Sequence, residues 1–173
     1  TKGKWSTLLT ELLEFKRHYD ANMPLIEALP SVARLSGARY QGLGLRDLCE
    51  ELHACYRQNA TARTMKQMYT QLPKIAMTPA EAYDHLVRGR VEAVPIDQLA
   101  GRVAATMLVP YPPGIPLIMP GERFSERNSA VLDYLRFARD FEQRFPGFGA
   151  DVHGLRLGET ATGRSYSVDC IVR

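Results

Sequence analysis

The sequence predicts an α+β fold, a single domain with several helices packed on small, mostly antiparallel sheets. Three observations carry that reading. Apolar residues recur at helical spacing in several separate stretches. Near the carboxy terminus, two strand-like runs flank a turn at residues 158–163. Helical and strand-like stretches do not alternate in the βαβ order of a parallel sheet.

Taken in order, Leu8, Leu9, Leu12, Leu13 and Phe15 make an amphipathic helix running to about Tyr19, and Asn22-Met23-Pro24 ends it. A short helix over residues 25–29 stops at Pro30, and residues 36–44 read as an irregular connection. Leu45, Leu48, Leu52 and Cys55 mark a second long helix, and Met65, Met68 and Leu72 a third, ended by Pro73. Thr78-Pro79-Ala80-Glu81 is a capping box with proline at the first helical position. The helix it opens has Tyr83, Leu86 and Val87 as its expected inner face and Gly89 as its left-handed stop. Residues 91–94 and 102–109 read as strands. A helix over residues 129–145 is expected to bury Val131, Leu132, Leu135, Ala138 and Phe141. The tail at residues 165–172 is a strand whose antiparallel partner is residues 154–157.

Composition excludes several function classes. Of the 173 residues, 45% are hydrophobic and 24% charged, which is globular rather than disordered. The net charge of +3 is spread without a basic stripe or interleaved aromatics, which argues against a nucleic-acid surface. No apolar run approaches the roughly 20 residues of a membrane helix. Cys49, Cys55 and Cys170 form neither a metal pattern nor an even disulfide framework, so they are expected to be reduced thiols of a cytoplasmic protein. Thr1-Lys2-Gly3-Lys4-Trp5 has no initiator Met and no apolar signal-peptide centre, so a longer polypeptide is expected around this chain.

Residues 109–122 stand apart, with five prolines and two glycines in fourteen residues. Such a backbone is stiff and extended, and prolines cannot donate to a ladder, so it is not a central strand. It serves either as a rigid path presenting Tyr111 and Glu122 at fixed places or as a plain connection. His18 and His85 sit near helix C-termini, where a cation suits the helix dipole, and need no catalytic explanation.

This proline segment, with Thr78 onward and Gly101-Arg102-Val103-Ala104-Ala105 before it, resembles the carboxy-terminal domain of the bacterial Orn/Lys/Arg decarboxylases. The resemblance extends to Thr1-Lys2-Gly3-Lys4-Trp5-Ser6-Thr7-Leu8-Leu9, to Phe145-Pro146-Gly147-Phe148 and to Asp151-Val152-His153-Gly154. It implies a fold-type I enzyme that removes the α-carboxylate of a basic amino acid with pyridoxal phosphate as electron sink. The family's Schiff-base lysine follows a histidine, and no His-Lys pair occurs here. No glycine-rich phosphate loop occurs either. The resemblance therefore implies no catalytic residue in this chain, no cofactor bound by it alone, and no activity of the piece by itself.

The implied partners are an upstream pyridoxal-phosphate domain of the same protein and other subunits, from a dimer up to a decamer. Residues 1–24 are expected to connect to that upstream domain, and residues 25–173 to form the carboxy-terminal domain. Tyr111, Glu122, Asp151 and His153 are the substrate-entrance candidates, since carboxylates in matched irregular segments would draw a basic substrate. The other reading of Glu122 and Asp151 is that of loop carboxylates that cap neighbouring backbone amides. Trp5 and Arg102 are the domain-contact candidates, the alternative for Arg102 being a solvated side chain.

Residues 18–25 resemble the inducible arginine branch, which implies arginine as substrate and agmatine and carbon dioxide as products. Lysine or ornithine decarboxylation, or a non-catalytic interaction module, are the alternatives. In the lysine branch this neighbourhood forms a guanosine-tetraphosphate pocket lined by arginine and asparagine. Pro24, Glu27 and Gly44 stand at those positions here, and none offers an arginine fork to phosphate.

Overall fold

The computed structural model describes residues 2–111, 113–124, 130–160 and 163–172. These residues form an α+β fold whose contacts group into two compact units, Thr1–Asn59 and Ala60–Arg173. The sequence-based division at residue 24 falls inside the first of these.

The first unit is helical: α1 (Lys2–Asp20), α2 (Leu25–Ala28), α3 (Pro30–Leu35), α4 (Gly37–Tyr40) and α5 (Leu45–Gln58). The apolar stripe of α1 makes it a helix, yet Trp5, Leu8, Leu9, Leu12, Leu13 and Phe15 all stay exposed, Trp5 at 73%. No described residue covers them. The chain leaves α1 through Asn22, which sits at φ 47°, a left-handed position that asparagine tolerates better than most residues. Leu25 N–H then donates to Leu43 O at 2.9 Å and Leu45 N–H to Met23 O at 2.8 Å, closing the intervening loop. Leu25, Tyr40, Leu45, Leu48 and Cys55 are buried inside this loop and on the inner face of α5.

Two local expectations change here. Pro30 does stop α2, but it also occupies the first turn of α3, where its missing N–H costs nothing. Residues 36–44 are not wholly irregular, because Gly37–Tyr40 closes a single helical turn that buries Tyr40.

The second unit holds every described strand: α6 (Thr61–Thr70), β1 (Lys74–Ile75), α7 (Pro79–Val87), β2 (Val91–Pro95), β3 (Val109–Tyr111), β4 (Glu122–Arg123), α8 (Ala130–Arg144), β5 (Asp151–His153), β6 (Leu155–Thr160) and β7 (Gly163–Ile171). All pairings are antiparallel: β1 with β4, β3 with β5, and a three-stranded sheet in the order β2–β7–β6. The expected carboxy-terminal hairpin is present, with Leu155 opposite Val168 and Leu157 opposite Tyr166. Helix α8 buries Val131, Leu132, Leu135, Ala138 and Phe141, the five residues its spacing predicted. With Phe124, Phe145, Leu108 and Val168 also nearly inaccessible, these side chains are the main apolar store of the unit. Each of them except Ala138 contributes about 1.5–3 kcal/mol on burial.

Helix α7 starts as predicted. Glu81 N–H donates to Thr78 Oγ1 at 3.3 Å, and Thr78 N–H donates back to Glu81 Oε2 at 2.8 Å. That backbone bond holds the Glu81 carboxyl below the usual carboxylate range. Its inner face differs from expectation: Ala82 is fully buried, Leu86 partly so, and Tyr83 and Val87 point to solvent. A small residue lets the helix sit close to Val103, Ala105 and Ile171, and larger ones are displaced to the flanks.

The strand expected over residues 102–109 does not form along its length. Successive backbone groups there bond to different elements. Phe124 N–H donates to Arg102 O, Ile171 N–H to Val103 O, Ala104 N–H to Glu122 O and Ala105 N–H to Asp169 O. The segment threads between two ladders, so its β-branched and apolar residues are buried without one continuous partner strand. Only its end, from Val109, joins a ladder.

Candidate functional site

The proline segment enters the β3–β5 ladder at its start, with Val109 opposite His153, Pro110 opposite Val152 and Tyr111 opposite Asp151. Pro110 and Val152 face the core, so alternation along the strands turns Tyr111, Asp151 and His153 to solvent. A turn follows, in which Gly114 N–H donates to Pro110 O at 2.9 Å and Gly114 adopts φ 81°. Residue 112 lies outside the described residues.

Three of the four predicted entrance residues are thus brought together. The Tyr111 and His153 rings meet edge to face with centroids 6.4 Å apart, and His153 Nε2 lies 3.5 Å from Asp151 Oδ2. All three are well exposed, Tyr111 at 62%. The cluster combines an aromatic face, a carboxylate and an imidazole, a set suited to meeting cations at a surface.

Glu122 belongs to another ladder, β1–β4, and its carboxylate accepts the Met119 N–H at 2.7 Å. It is a backbone cap on the proline segment, the second of the two roles open to it. Gly121 beside it has φ 87°, and a Cβ there would strike Met77 O. Arg102 pairs with Glu92 and donates to Ile171 O at 3.2 Å, with its side chain only 13% exposed. Its charge is therefore committed within this unit rather than solvated. Trp5 stands exposed in the apolar stripe of α1.

The first unit contains a cleft of about 540 Å³ that sequence reading did not find. Its walls include Pro24, Leu25, Ile26, Ala33, Gly37 and Leu43, and Asn22 and Asp47 stand at its polar end. Two of the three positions compared with the nucleotide pocket, Pro24 and Gly44, line it and face each other across an isolated bridge. Gly44 precedes α5 without a side chain to cap it, and Asn22 supplies the oxygen instead. The available signal was Gly44-Leu45-Arg46-Asp47, an acid three residues after a helix start that lacks its own capping hydroxyl.

The family's cofactor finds no fit among the described residues. A Schiff-base lysine needs a desolvated setting that lowers its pKa. Lys4, Lys16, Lys66 and Lys74 are exposed, and Lys16 is paired with Asp20. The first amides of α5 and α7, which would otherwise suit a phosphate, are taken by Asn22 and by Thr78. No group of three or more metal-ligating side chains occurs among the described residues, and no described helix is long and apolar enough to cross a membrane. The three cysteines are free, and burial pushes the Cys170 thiol up to about 11, where it is inert.

Comparison with known proteins agrees with this geometry. Residues 62–172, nearly the whole second unit, match the family model of the Orn/Lys/Arg decarboxylase carboxy-terminal domain. A lysine decarboxylase of Pseudomonas aeruginosa is 68% identical over 99% of this chain, which spans 23% of that protein's length. The biodegradative arginine decarboxylase of Escherichia coli is 40% identical over 91% of this chain, which spans 21% of its length. The solved structure of lysine decarboxylase A from Pseudomonas aeruginosa superposes with a TM-score of 0.92 at 68% identity, covering 99% of this chain and 23% of that one. None of these matches confirms the arginine branch expected from residues 18–25. The chain belongs to the Orn/Lys/Arg decarboxylase family and carries its carboxy-terminal domain.

Proposed function

We propose that this chain is the carboxy-terminal part of a pyridoxal-phosphate-dependent carboxy-lyase that acts on lysine, releasing pentane-1,5-diamine and carbon dioxide. The observation that carries the substrate is the high identity to a lysine decarboxylase along almost the entire chain. Arginine is the second reading, supported by the likeness of residues 18–25 to the arginine branch and by the arginine decarboxylase relative. The cofactor's lysine and phosphate contacts lie in this reading outside the chain, on an upstream domain of the same cytoplasmic polypeptide, and the chain by itself is inactive.

The chain's own contribution is positional. Residues 1–24 connect to the upstream domain, with Trp5 in the contact, while the following residues supply the packed carboxy-terminal body. The Tyr111–Asp151–His153 cluster stands beside the substrate entrance, where its carboxylate and ring attract a cationic amino acid and exclude anions. Subunits of such an enzyme assemble as a dimer or a larger oligomer.

The test is an assay of the full-length protein with lysine, arginine and ornithine, with and without added pyridoxal phosphate. The reading expects the highest kcat/KM on lysine and dependence on the cofactor. A higher kcat/KM on arginine selects the second reading. No carbon dioxide from any of the three refutes the enzyme assignment.

A further inference from the structure

We propose that the cleft of the first unit is a binding site for an aliphatic diammonium ion, through which the enzyme senses its own diamine product. The identity of the ligand rests on the lysine decarboxylase reading; the chemistry of the cleft does not. Its volume of about 540 Å³ lies within the usual span of small-molecule pockets, roughly 300–1,000 Å³. Leu25, Ile26, Ala33 and Leu43 give it aliphatic walls, and Asp47 is the one charged residue in its lining.

That carboxylate is built in. Its Oδ2 accepts Asn22 Nδ2–H at 2.9 Å and the Gly44 N–H at 3.3 Å, and Oδ1 has no partner among the described residues. The Asn22 hydrogen bond, ahead of the Gly44 amide and the Arg46 charge, keeps Asp47 below the ordinary carboxylate range, so it is ionised near neutrality. The first amides of α5, which would otherwise welcome an anion, are spent, since Asn22 Oδ1 accepts the Arg46 and Asp47 N–H groups.

A ligand for this cleft therefore needs an apolar stem, at least one cation and no anion. The amino-acid substrate is the poorer fit, because even with its ε-ammonium on Asp47 it brings an α-carboxylate to the mouth of a cleft whose one charged lining residue is already an anion. An α,ω-diamine meets all three, with one ammonium on the free Asp47 oxygen and its methylenes along the wall. Its second ammonium stays in water at the mouth, as long cationic side chains do at protein surfaces.

The experiment is equilibrium dialysis of full-length, cofactor-loaded protein, reduced with borohydride so that it no longer turns lysine over, against radiolabelled pentane-1,5-diamine, with excess lysine to compete at the active site. The proposal expects a lysine-resistant class of one diamine per subunit. Gly37 lines the cleft and a Cβ on it meets nothing within 4 Å, so Gly37→Phe fills open space without disturbing the core. That variant and Asp47→Asn should each weaken the lysine-resistant class about tenfold or more. Complete displacement by lysine, or resistant binding unchanged in Gly37→Phe, overturns the proposal. Should no amino acid be decarboxylated while Gly37-sensitive binding persists, the enzyme reading fails and the cleft assignment stands.

Discussion

Asn22 and Asp47 complete each other. The asparagine donates Nδ2–H to Asp47 Oδ2 at 2.9 Å, and its Oδ1 accepts the Asp47 backbone N–H at 3.3 Å and that of Arg46 at 3.0 Å. The end of α1 thereby caps the start of α5, a role normally filled by the residue directly before a helix. Gly44 cannot fill it, and a Cβ on Gly44 would collide with the Asn22 side chain. Asn22→Gly, which keeps the left-handed backbone and removes only the cap, should cost about 1–2 kcal/mol in urea unfolding. Asn22→Ala should cost more, because it adds backbone strain at φ 47°. Equal costs for the two variants would show that the backbone conformation contributes nothing.

Gly121 is the corresponding fixed point of the second unit. Its N–H donates to Ala104 O at 2.8 Å, and its carbonyl accepts the Ala76 and Met77 N–H groups at 2.9 and 3.1 Å. Gly121→Ala forces a Cβ against Met77 O in a positive-φ conformation. A loss of about 1–3 kcal/mol is expected from strain of this kind. An unchanged melting temperature would mean that the proline segment yields without resistance.

The fold was legible wherever a local pattern decides structure. The capping box at Thr78, the stripe of α8 and the terminal hairpin depend on neighbours within one turn or one ladder, and each was placed within about three residues. The segment at residues 102–109 was misread because its β-branched residues signal burial, not pairing. Its hydrogen bonds go to Glu122, Asp169, Phe124 and Ile171, none of which is near in sequence. At the site, the irregular segments that drew attention to Tyr111, Asp151 and His153 do lie together, but only register shows it. At the cleft, Gly44-Leu45-Arg46-Asp47 signals only a helix start without its own cap, and that Asn22 completes it was illegible, since Asn22 and Asp47 lie 25 positions apart.

Acid should weaken the second unit through Asp97. This carboxylate accepts Arg139 Nη1 at 2.6 Å and Arg136 Nε at 3.1 Å, and the Arg139 bond is the main cause of its lowered pKa. A carboxyl depressed in the folded state adds stability above its unfolded pKa of about 4, and loses it as pH falls through the folded value. The pair is half-exposed, so solvent screening keeps its contribution below about 1 kcal/mol. Asp97→Asn should be less stable than the parent at pH 7, and the gap should close as pH drops below about 4. A gap of constant size across that range would assign the effect to packing.

The stripe of α1 should make the isolated 173-residue chain associate. Leu8, Leu9, Leu12 and Phe15 share one face with Trp5, and each remains about half-exposed or more. Exposed apolar patches of that extent drive association unless something covers them. Sedimentation should show mass rising with concentration, and the double variant Leu9→Glu, Leu12→Glu should sediment as a monomer. A parent chain that stays monomeric at high concentration would mean that the stripe is too narrow to act alone.

The last expectation concerns guanosine tetraphosphate. Binding several phosphates calls for cations, and the lining of the cleft that contains Pro24 and Gly44 holds none. Asn22 Oδ1 occupies the amides at the start of α5, Asp47 presents a carboxylate held in its charged form, and Glu27 on α2 adds a second acid nearby in the chain. Each charge-assisted phosphate contact that is missing costs roughly 1.5–3 kcal/mol, about one to two decades of affinity. Two such losses move a micromolar site to between about 100 μM and 10 mM. Steady-state decarboxylation by the full-length protein should therefore be unchanged by the nucleotide at concentrations of about 10 μM, on the same affinity scale. Inhibition in the micromolar range would refute this, and its loss in Gly37→Phe, which fills the cleft, would show that the first unit nevertheless holds the nucleotide.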